Sequence, residues 1–398
     1  MSALTGMRRA RVAAAGLVLG GLLAAGCGGE AESGAGKGGG GKSGGAGDGV
    51  VARDAEGARD AEGARDAEGA QEAAVPGGVI ITGSRAGGRE RAALVAFKPG
   101  QRVWDPKRNP AGVAWTFDPR KVAGYGDLDP KRTWPNGPNE AKTYQVGSET
   151  WVATVSGRGF LGVVKYGTGK RVWGARLAAA YHPHSIELLP SREVAVASPG
   201  DDRGNAPGGR NVCLFPRGGT KARCVTLKSA HGVHWDSRRK RLWALGNTEL
   251  AAYRIDRSAP GRPALVKDGA LSVSTPWPAG HDLMPVQGNP DRLWVVTGSF
   301  VFQYDVGGRE FFGPKVKPGD QRRPYPGVDK VNARGVKSLS SAPGTGRVLR
   351  NVTVGGTDQL SRVATFHLPE GAARTPKYDG KPYDFYKARW VTPRVLGR

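Results

Sequence analysis

Acidic residues are in short supply in this chain: 35 Asp and Glu stand against 59 Lys and Arg, a formal net charge of +24 over 398 residues. Motifs that would announce a chemistry are also missing. No nucleophile elbow, glycine-rich phosphate loop, zinc-protease helix or EF-hand spacing occurs, and Asp201-Asp-Arg-Gly-Asn205 lacks the closing glutamate of a calcium loop, so it reads as a turn. The apolar stretch Val12 to Ala25 falls short of the roughly 20 residues that a spanning helix needs. What is plentiful is glycine (63) and proline (28), which argues against long helices in the folded part. With 38% hydrophobic residues the chain can still bury a core, so many short strands joined by turns are expected.

Residues 1–27 read as a targeting segment. Arg8, Arg9 and Arg11 form a positive start, Val12 to Ala25 the apolar region, and small residues lead to Cys27. The ending Leu22-Leu-Ala-Ala-Gly-Cys27 resembles the lipobox of bacterial lipoproteins, which implies that Cys27 is lipidated. The expected location is therefore extracytoplasmic, anchored to the cell membrane by an N-terminal lipid. Residues 28–77 follow as a low-complexity, disordered linker: Gly28 to Gly49 is glycine-rich, and Ala-Arg-Asp-Ala-Glu-Gly occurs three times between Ala52 and Gly69. A six-residue period matches neither helix nor strand. A coil of this length has a root-mean-square reach of about 40 Å.

From Val79 onward the sequence repeats. Similar strands occur at Val79-Ile-Ile-Thr-Gly-Ser84, Trp151-Val-Ala-Thr-Val-Ser156, Val194-Ala-Val-Ala-Ser198, Leu242-Trp-Ala-Leu-Gly246, Leu293-Trp-Val-Val-Thr-Gly298 and Val348-Leu-Arg-Asn-Val352. Short strands precede the last five, and those beginning at 184, 231, 281 and 334 are 47, 50 and 53 residues apart. A period near 40–50 residues with four strands per unit is the mark of a β-propeller. The first repeat lacks its innermost strand, and Tyr386-Lys-Ala-Arg-Trp-Val391 aligns with His231-Gly-Val-His-Trp-Asp236. The expectation is thus an all-β, six-bladed propeller over residues 79–398, its first blade closed by one C-terminal strand and three N-terminal ones. Closure removes the exposed sheet edge.

Two features interrupt the repeat. Asp105 to Asn139 is a long insertion rich in Trp, Asp and Pro, readable as a binding loop or as decoration. Cys213 and Cys224 flank Gly218-Gly219 symmetrically, and in an exported protein they are expected to form a disulfide across a hairpin.

The first 78 residues carry 8 Lys and Arg against 10 Asp and Glu, so the remaining 320 carry 51 against 25, or +26. Outside the membrane that balance points to acidic envelope polymers, uronate-containing polysaccharides or anionic headgroups rather than nucleic acid. Arginine-rich turns such as Arg238-Arg-Lys-Arg241 are equally compatible with ordinary solvated charge.

Chemistry is expected where the inner strands begin, at one end of the central channel. Three successive repeats place His184, His231 and His281 there, with Glu140, Arg334 and Tyr386 completing the ring and Lys142 and Lys337 close by. Convergent imidazoles suit a divalent metal or a base, and Arg334 suits a carboxylate. Histidines at a repeated position also serve simply to bond a neighbouring blade's backbone. His182 and His234 are secondary candidates, and His367 an ordinary strand residue.

The lipobox, the linker and the repeated His-x-x-x-aromatic/apolar inner strands followed by Leu-Trp-Ala-Leu-Gly-like strands resemble an uncharacterised family of bacterial, high-GC Gram-positive propeller lipoproteins. That resemblance covers residues 79–398 and implies the fold without an activity. A more distant likeness, to polysaccharide lyases of the oligogalacturonate type, implies a metal held by mouth histidines and a uronate carboxylate bound to it. Two readings follow. One is a monomeric, non-enzymatic module that binds an acidic glycan or an envelope protein. The other is a metal-dependent lyase or hydrolase of an anionic saccharide, with His184, His231 and His281 as ligands and Arg334 or Lys337 on the carboxylate.

Overall fold

The computed structural model describes residues 78–83, 92–101, 103–200, 211–323, 331–342, 347–353, 361–367, 373–374, 385–391 and 393–396. The expected signal segment, Cys27 and the linker lie outside the described residues, as does Asp201–Asn205. No helix among the described residues is long and apolar enough to cross a membrane.

The described residues form 25 strands. The first three are β1 (Val79–Gly83), β2 (Leu94–Phe97) and β3 (Val113–Phe117). A second set comprises β4 (Glu140–Val146), β5 (Glu149–Val155), β6 (Phe160–Lys165) and β7 (Arg171–Arg176). A third has β8 (Ser185–Leu188), β9 (Val194–Ser198), β10 (Asn211–Phe215) and β11 (Arg223–Thr226). The fourth holds β12 (Gly232–Asp236), β13 (Arg241–Leu245), β14 (Glu249–Asp256) and β15 (Ala264–Ser274). In the fifth are β16 (Asp282–Pro285), β17 (Arg292–Val296), β18 (Val301–Asp305) and β19 (Glu310–Phe312). The last are β20 (Val336–Ser341), β21 (Val348–Thr353), β22 (Ser361–His367), β23 (Ala373–Arg374), β24 (Phe385–Trp390) and β25 (Arg394–Val395). Within each of the first five sets, and from β20 to β23, the strands form an antiparallel meander, as their short connections require.

The fold is a β-propeller, but with five blades where the repeats led us to expect six. Strands β20 to β23 and the set β24–β1–β2–β3 are hydrogen-bonded into a single eight-stranded sheet through the pair Ser361 and Phe385. The inner strands β24, β4, β8, β12, β16 and β20 nevertheless follow one another around the channel. Strand β24 pairs with β1, Val79 opposite Trp390 and Ile81 opposite Ala388, so the C-terminal strand does lie inside the N-terminal three. The chain then continues to β25, which runs parallel to β4 with Arg394 opposite Tyr144 and ties the C-terminus to the next blade.

Middle strands read as unbroken apolar runs because both of their faces are covered. In β9 and β13 the residues Ala195, Val196, Ala197, Leu242, Trp243 and Ala244 are all buried. One side of each sheet fills one seam and the other side the next, so Val196 packs with Ile186 and Val155 while Ala195 packs with Val233 and Leu242. Each large side chain removed from water in this way contributes about 1.5–3 kcal/mol.

The insertion between Asp105 and Asn139 is mostly a wedge. Tyr125, Leu128 and Trp134 are buried against Ile80 and Phe160 of the adjoining blades. Trp134 Nε1 donates to the Ala92 carbonyl at 2.8 Å and Tyr125 Oη to that of Gly169 at 2.7 Å. Its short helix α1 (Pro130–Thr133) leaves Lys131 and Arg132 exposed.

Cys213 and Cys224 are cross-strand partners on β10 and β11 and are joined by a disulfide. The connection is longer than a two-residue hairpin: Gly219 N donates to the Pro216 carbonyl at 2.9 Å, and Gly218 takes the positive φ of 69° that the turn needs. Closing a loop of this size in the unfolded chain is worth roughly 2–3 kcal/mol. Cys213→Ser with Cys224→Ser is therefore expected to lower unfolding stability by about that amount in urea titrations, without loss of the propeller's circular dichroism.

Candidate functional site

The site is built from one backbone device used in successive blades. The residue just before each inner strand donates its N–H to the second strand: Asn139 to Val155 at 2.7 Å, His184 to Ala197 at 2.9 Å, His231 to Leu245 at 2.9 Å and His281 to Val296 at 2.8 Å. Two residues earlier the backbone is left-handed every time: Gly137 (φ 89°), His182 (51°), Ser229 (53°) and Ala279 (61°), and Gly335 (74°) stands in the same relation to Lys337. For the three non-glycine residues this costs on the order of 1 kcal/mol each. The return on that strain is a carbonyl turned toward the imidazole. His184 Nδ1 lies 2.7 Å from the carbonyl oxygen of His182, and His231 Nδ1 lies 2.9 Å from that of Ser229.

These positions gather three imidazoles at one channel mouth. Ring centroids of His184 and His231 are 4.7 Å apart, those of His231 and His281 5.1 Å, and His182 adds a fourth ring 4.5 Å from His184. Tyr386 stands at the matching place on β24, with its hydroxyl 3.2 Å from His281 Nε2. His182 fits only because residue 157 is glycine: a Cβ there would sit 2.5 Å from its Cδ2.

Burial, with the nearby Lys387 adding to it, lowers the pKa of His184, His231 and His281. Desolvation is the main cause at all of them, with Lys337 and Lys387 adding to it at His231, which is pushed down to about 4. His184 and His281 are held well below the ordinary histidine value, again chiefly by burial. A carbonyl only accepts, so the neutral rings of His184 and His231 carry their proton on Nδ1 and present Nε2 as a hydrogen-bond acceptor.

Not every expected residue lies in this ring. Glu140 is one step inside the channel, fully buried, and the ring position is held by Asn139. Arg334 is exposed in the loop before β20; a bulge between Val336 and Ser338 shifts the register, and Lys337 takes the place expected for it. Lys142 is buried below the mouth, bonded to Glu187 and to the Val233 carbonyl. Nor do His184, His231 and His281 form the expected metal-ligand set: among the described residues no group of three or more His, Cys, Asp or Glu is placed to hold a metal ion.

Below the mouth the channel is filled by charge. Arg389 Nε and Nη2 donate to Glu140 at 2.9 Å each, its Nη1 and Nη2 to Asp282 at 2.7 and 2.6 Å, and its Nη1 to the Leu339 carbonyl at 2.8 Å. Lys387 Nζ bridges the same carboxylates at 3.0 and 2.9 Å. A second layer joins Lys142, Glu187, Arg394, Tyr144 and His234. Arg394 and Lys142 hold Glu187 down to about 2 against the opposing effect of burial. This plug was not foreseen. Its signal was present in β24, where Lys387 and Arg389 share the inward face of a strand otherwise apolar.

No curated protein sequence matches the chain. Among solved structures, a protein of unknown function from Bacteroides caccae is similar over 79% of this chain and 98% of its own, at 9% identity and a TM-score of 0.46. The β-propeller domain of Myceliophthora thermophila Cps50 (Swd1) is similar over 77% of this chain and 87% of its own, at 11% identity and a TM-score of 0.42. Residues 108–317, which hold the blades carrying all three mouth histidines, match the family of unknown function DUF6528, and the chain belongs to that family.

Proposed function

We propose that this protein is a lipid-anchored, extracytoplasmic binding module whose channel mouth takes an acidic envelope glycan. A propeller of this kind serves generally as a binding or scaffold module. The observation that carries the reading is the pairing of opposite tasks at the mouth: the Nε2 atoms of His184 and His231 accept hydrogen bonds, as sugar hydroxyls require, beside the cationic Lys337, which suits a carboxylate. Asn139 and Tyr386 add amide and phenol groups, and none of the six mouth positions holds a carboxylate that would repel such a ligand. The lyase reading has less support, because an imidazole held near pH 4, as His231 is, makes a weak base at neutral pH. Anchoring through Cys27 and the 28–77 linker completes the reading and rests on the sequence alone.

Calorimetric titration of the full-length protein with a tetragalacturonate and with a neutral tetrasaccharide tests it. Lys337→Gln is expected to weaken the acidic ligand about tenfold, the worth of one charge-assisted contact, and His231→Ala to weaken it further. Failure of the wild type to bind any acidic saccharide, or equal affinity in Lys337→Gln, would sink the proposal.

A further inference from the structure

Beside the mouth lies an open groove of about 840 Å³ that the channel histidines do not line. Its walls carry Lys131, Arg132, Arg158 and Arg176, all exposed, against the single carboxylate of Asp129 among its lining residues. Asp129 is itself 3.8 Å from Arg132. The neighbouring Asp127 is engaged by both terminal nitrogens of Arg171, at 2.5 and 3.0 Å, so it does little to offset the groove's charge. The volume falls within the range of about 300–1,000 Å³ typical of ligand sites.

Three loops make the groove, and each of them runs directly into the mouth. The segment from Asp129 to Asn136 continues to Asn139, whose side chain donates to the Pro183 carbonyl at 3.2 Å. The turn that carries Arg158 into the groove also carries Gly157, against which the His182 ring rests. Leu177, Ala178 and Ala179 line the groove and lead within five residues to His182 and His184. Four cations with one opposing carboxylate, in a trough contiguous with a hydroxyl-accepting mouth, suit a chain bearing an anionic group on successive units better than a single small acid.

We propose that this groove is a second subsite that holds the continuation of a polyanionic chain, carboxylate- or phosphate-bearing, whose terminal unit sits at the histidine mouth. The assignment rests on the mouth reading given above and adds to it the length and repeating charge of the ligand. Long and short ligands should therefore differ: units beyond the mouth reach the cations, and a monomer does not.

The test is affinity measured on the full-length protein with galacturonate monomer, a longer oligogalacturonate and a linear polyphosphate, for wild type, Arg158→Glu with Arg176→Glu, and Lys337→Gln. Both groove residues are exposed, so an unchanged thermal midpoint confirms the fold of the double variant. The expected result is that the double variant binds a long chain at least about tenfold more weakly while monomer binding stays as in wild type; the uronate and phosphate arms tell which anion is preferred. Equal affinity of wild type and double variant for both long polymers overturns the groove and leaves the mouth reading intact. Loss of long-chain binding in the double variant with no effect of Lys337→Gln removes the mouth reading and with it the proposed continuation, leaving the groove as a separate polyanion site. No binding of either polymer by wild type overturns both.

Discussion

Replacing Arg389 by methionine is expected to lower the stability of the folded protein by about 3–5 kcal/mol, the cost of removing one partner from a buried ion cluster. The guanidinium makes five bonds, four to Glu140 and Asp282 and one to the Leu339 carbonyl, at a site closed to solvent. Methionine fills most of the volume, so the loss is electrostatic: two buried carboxylates are left to share Lys387. For a domain of this size each kcal/mol moves the thermal midpoint by roughly 2–4 °C, so a fall on the order of 10 °C should be read by circular dichroism. Glu140→Gln in the Arg389→Met background should recover a large part of that fall, since it leaves Lys387 paired one-to-one with Asp282 and no buried charge uncompensated. A midpoint within 2 °C of wild type for Arg389→Met alone would mean that water reaches these groups and that the channel is not plugged.

The same residues show where the sequence stopped being readable. Blade texture was legible because a strand covered on both faces must be apolar throughout, and Leu242 to Leu245 or Val194 to Ser198 admit no other reading. Closure by the C-terminal strand was legible for a similar reason, since Trp390 repeats Trp235 in place. The number of sheets was not, because it depends on the contact between Ser361 and Phe385, a tertiary event without a local signature. Of the mouth positions, the three histidines and Tyr386 were found by repeat equivalence. Asn139 escaped notice and Lys337 was placed beside the ring rather than in it, because their strands begin with one extra polar residue or carry a bulge, and a shift of one residue moves a side chain from mouth to channel. Repeat position puts Glu140 in the ring with Lys142 close by, whereas the structure buries both below the mouth. Glu140's partners Arg389 and Lys387 come from the far end of the chain, Arg389 249 residues away, and Lys142's partner Glu187 comes from the next blade, neither of which a local pattern reports.

Acidification between pH 6.5 and 4 is expected to destabilise the protein by about 3 kcal/mol or more, most of it above the range in which ordinary carboxylates titrate. His234 decides the sign. It is buried, its Nδ1 accepts a bond from Arg394 at 2.8 Å, and burial together with that guanidinium lowers its pKa to about 3. Its folded value lies below the unfolded value near 6.5, so as pH falls through 6.5 the unfolded chain takes up a proton that the folded chain refuses, and stability drops with each unit by up to about 1.4 kcal/mol. His231, held near 4, acts in the same direction over the same window, and its loss levels off once the folded ring protonates. Glu187 works lower: its folded value near 2 lies below the usual carboxylate range, so its contribution is complete above about pH 4.5 and disappears as pH falls toward 2. Urea unfolding at pH 7, 6, 5 and 4 measures the first window. His234→Gln with His231→Gln should cut the slope between pH 6.5 and 4 by roughly half, His184 and His281 keeping the remainder, while leaving the acid loss below pH 4 in place, because glutamine keeps a hydrogen-bonding group at each position and removes the titration. A stability that is level from pH 7 to 5 in the wild type would show that these rings take up protons freely in the folded state, and the neutral acceptors at the mouth would go with them.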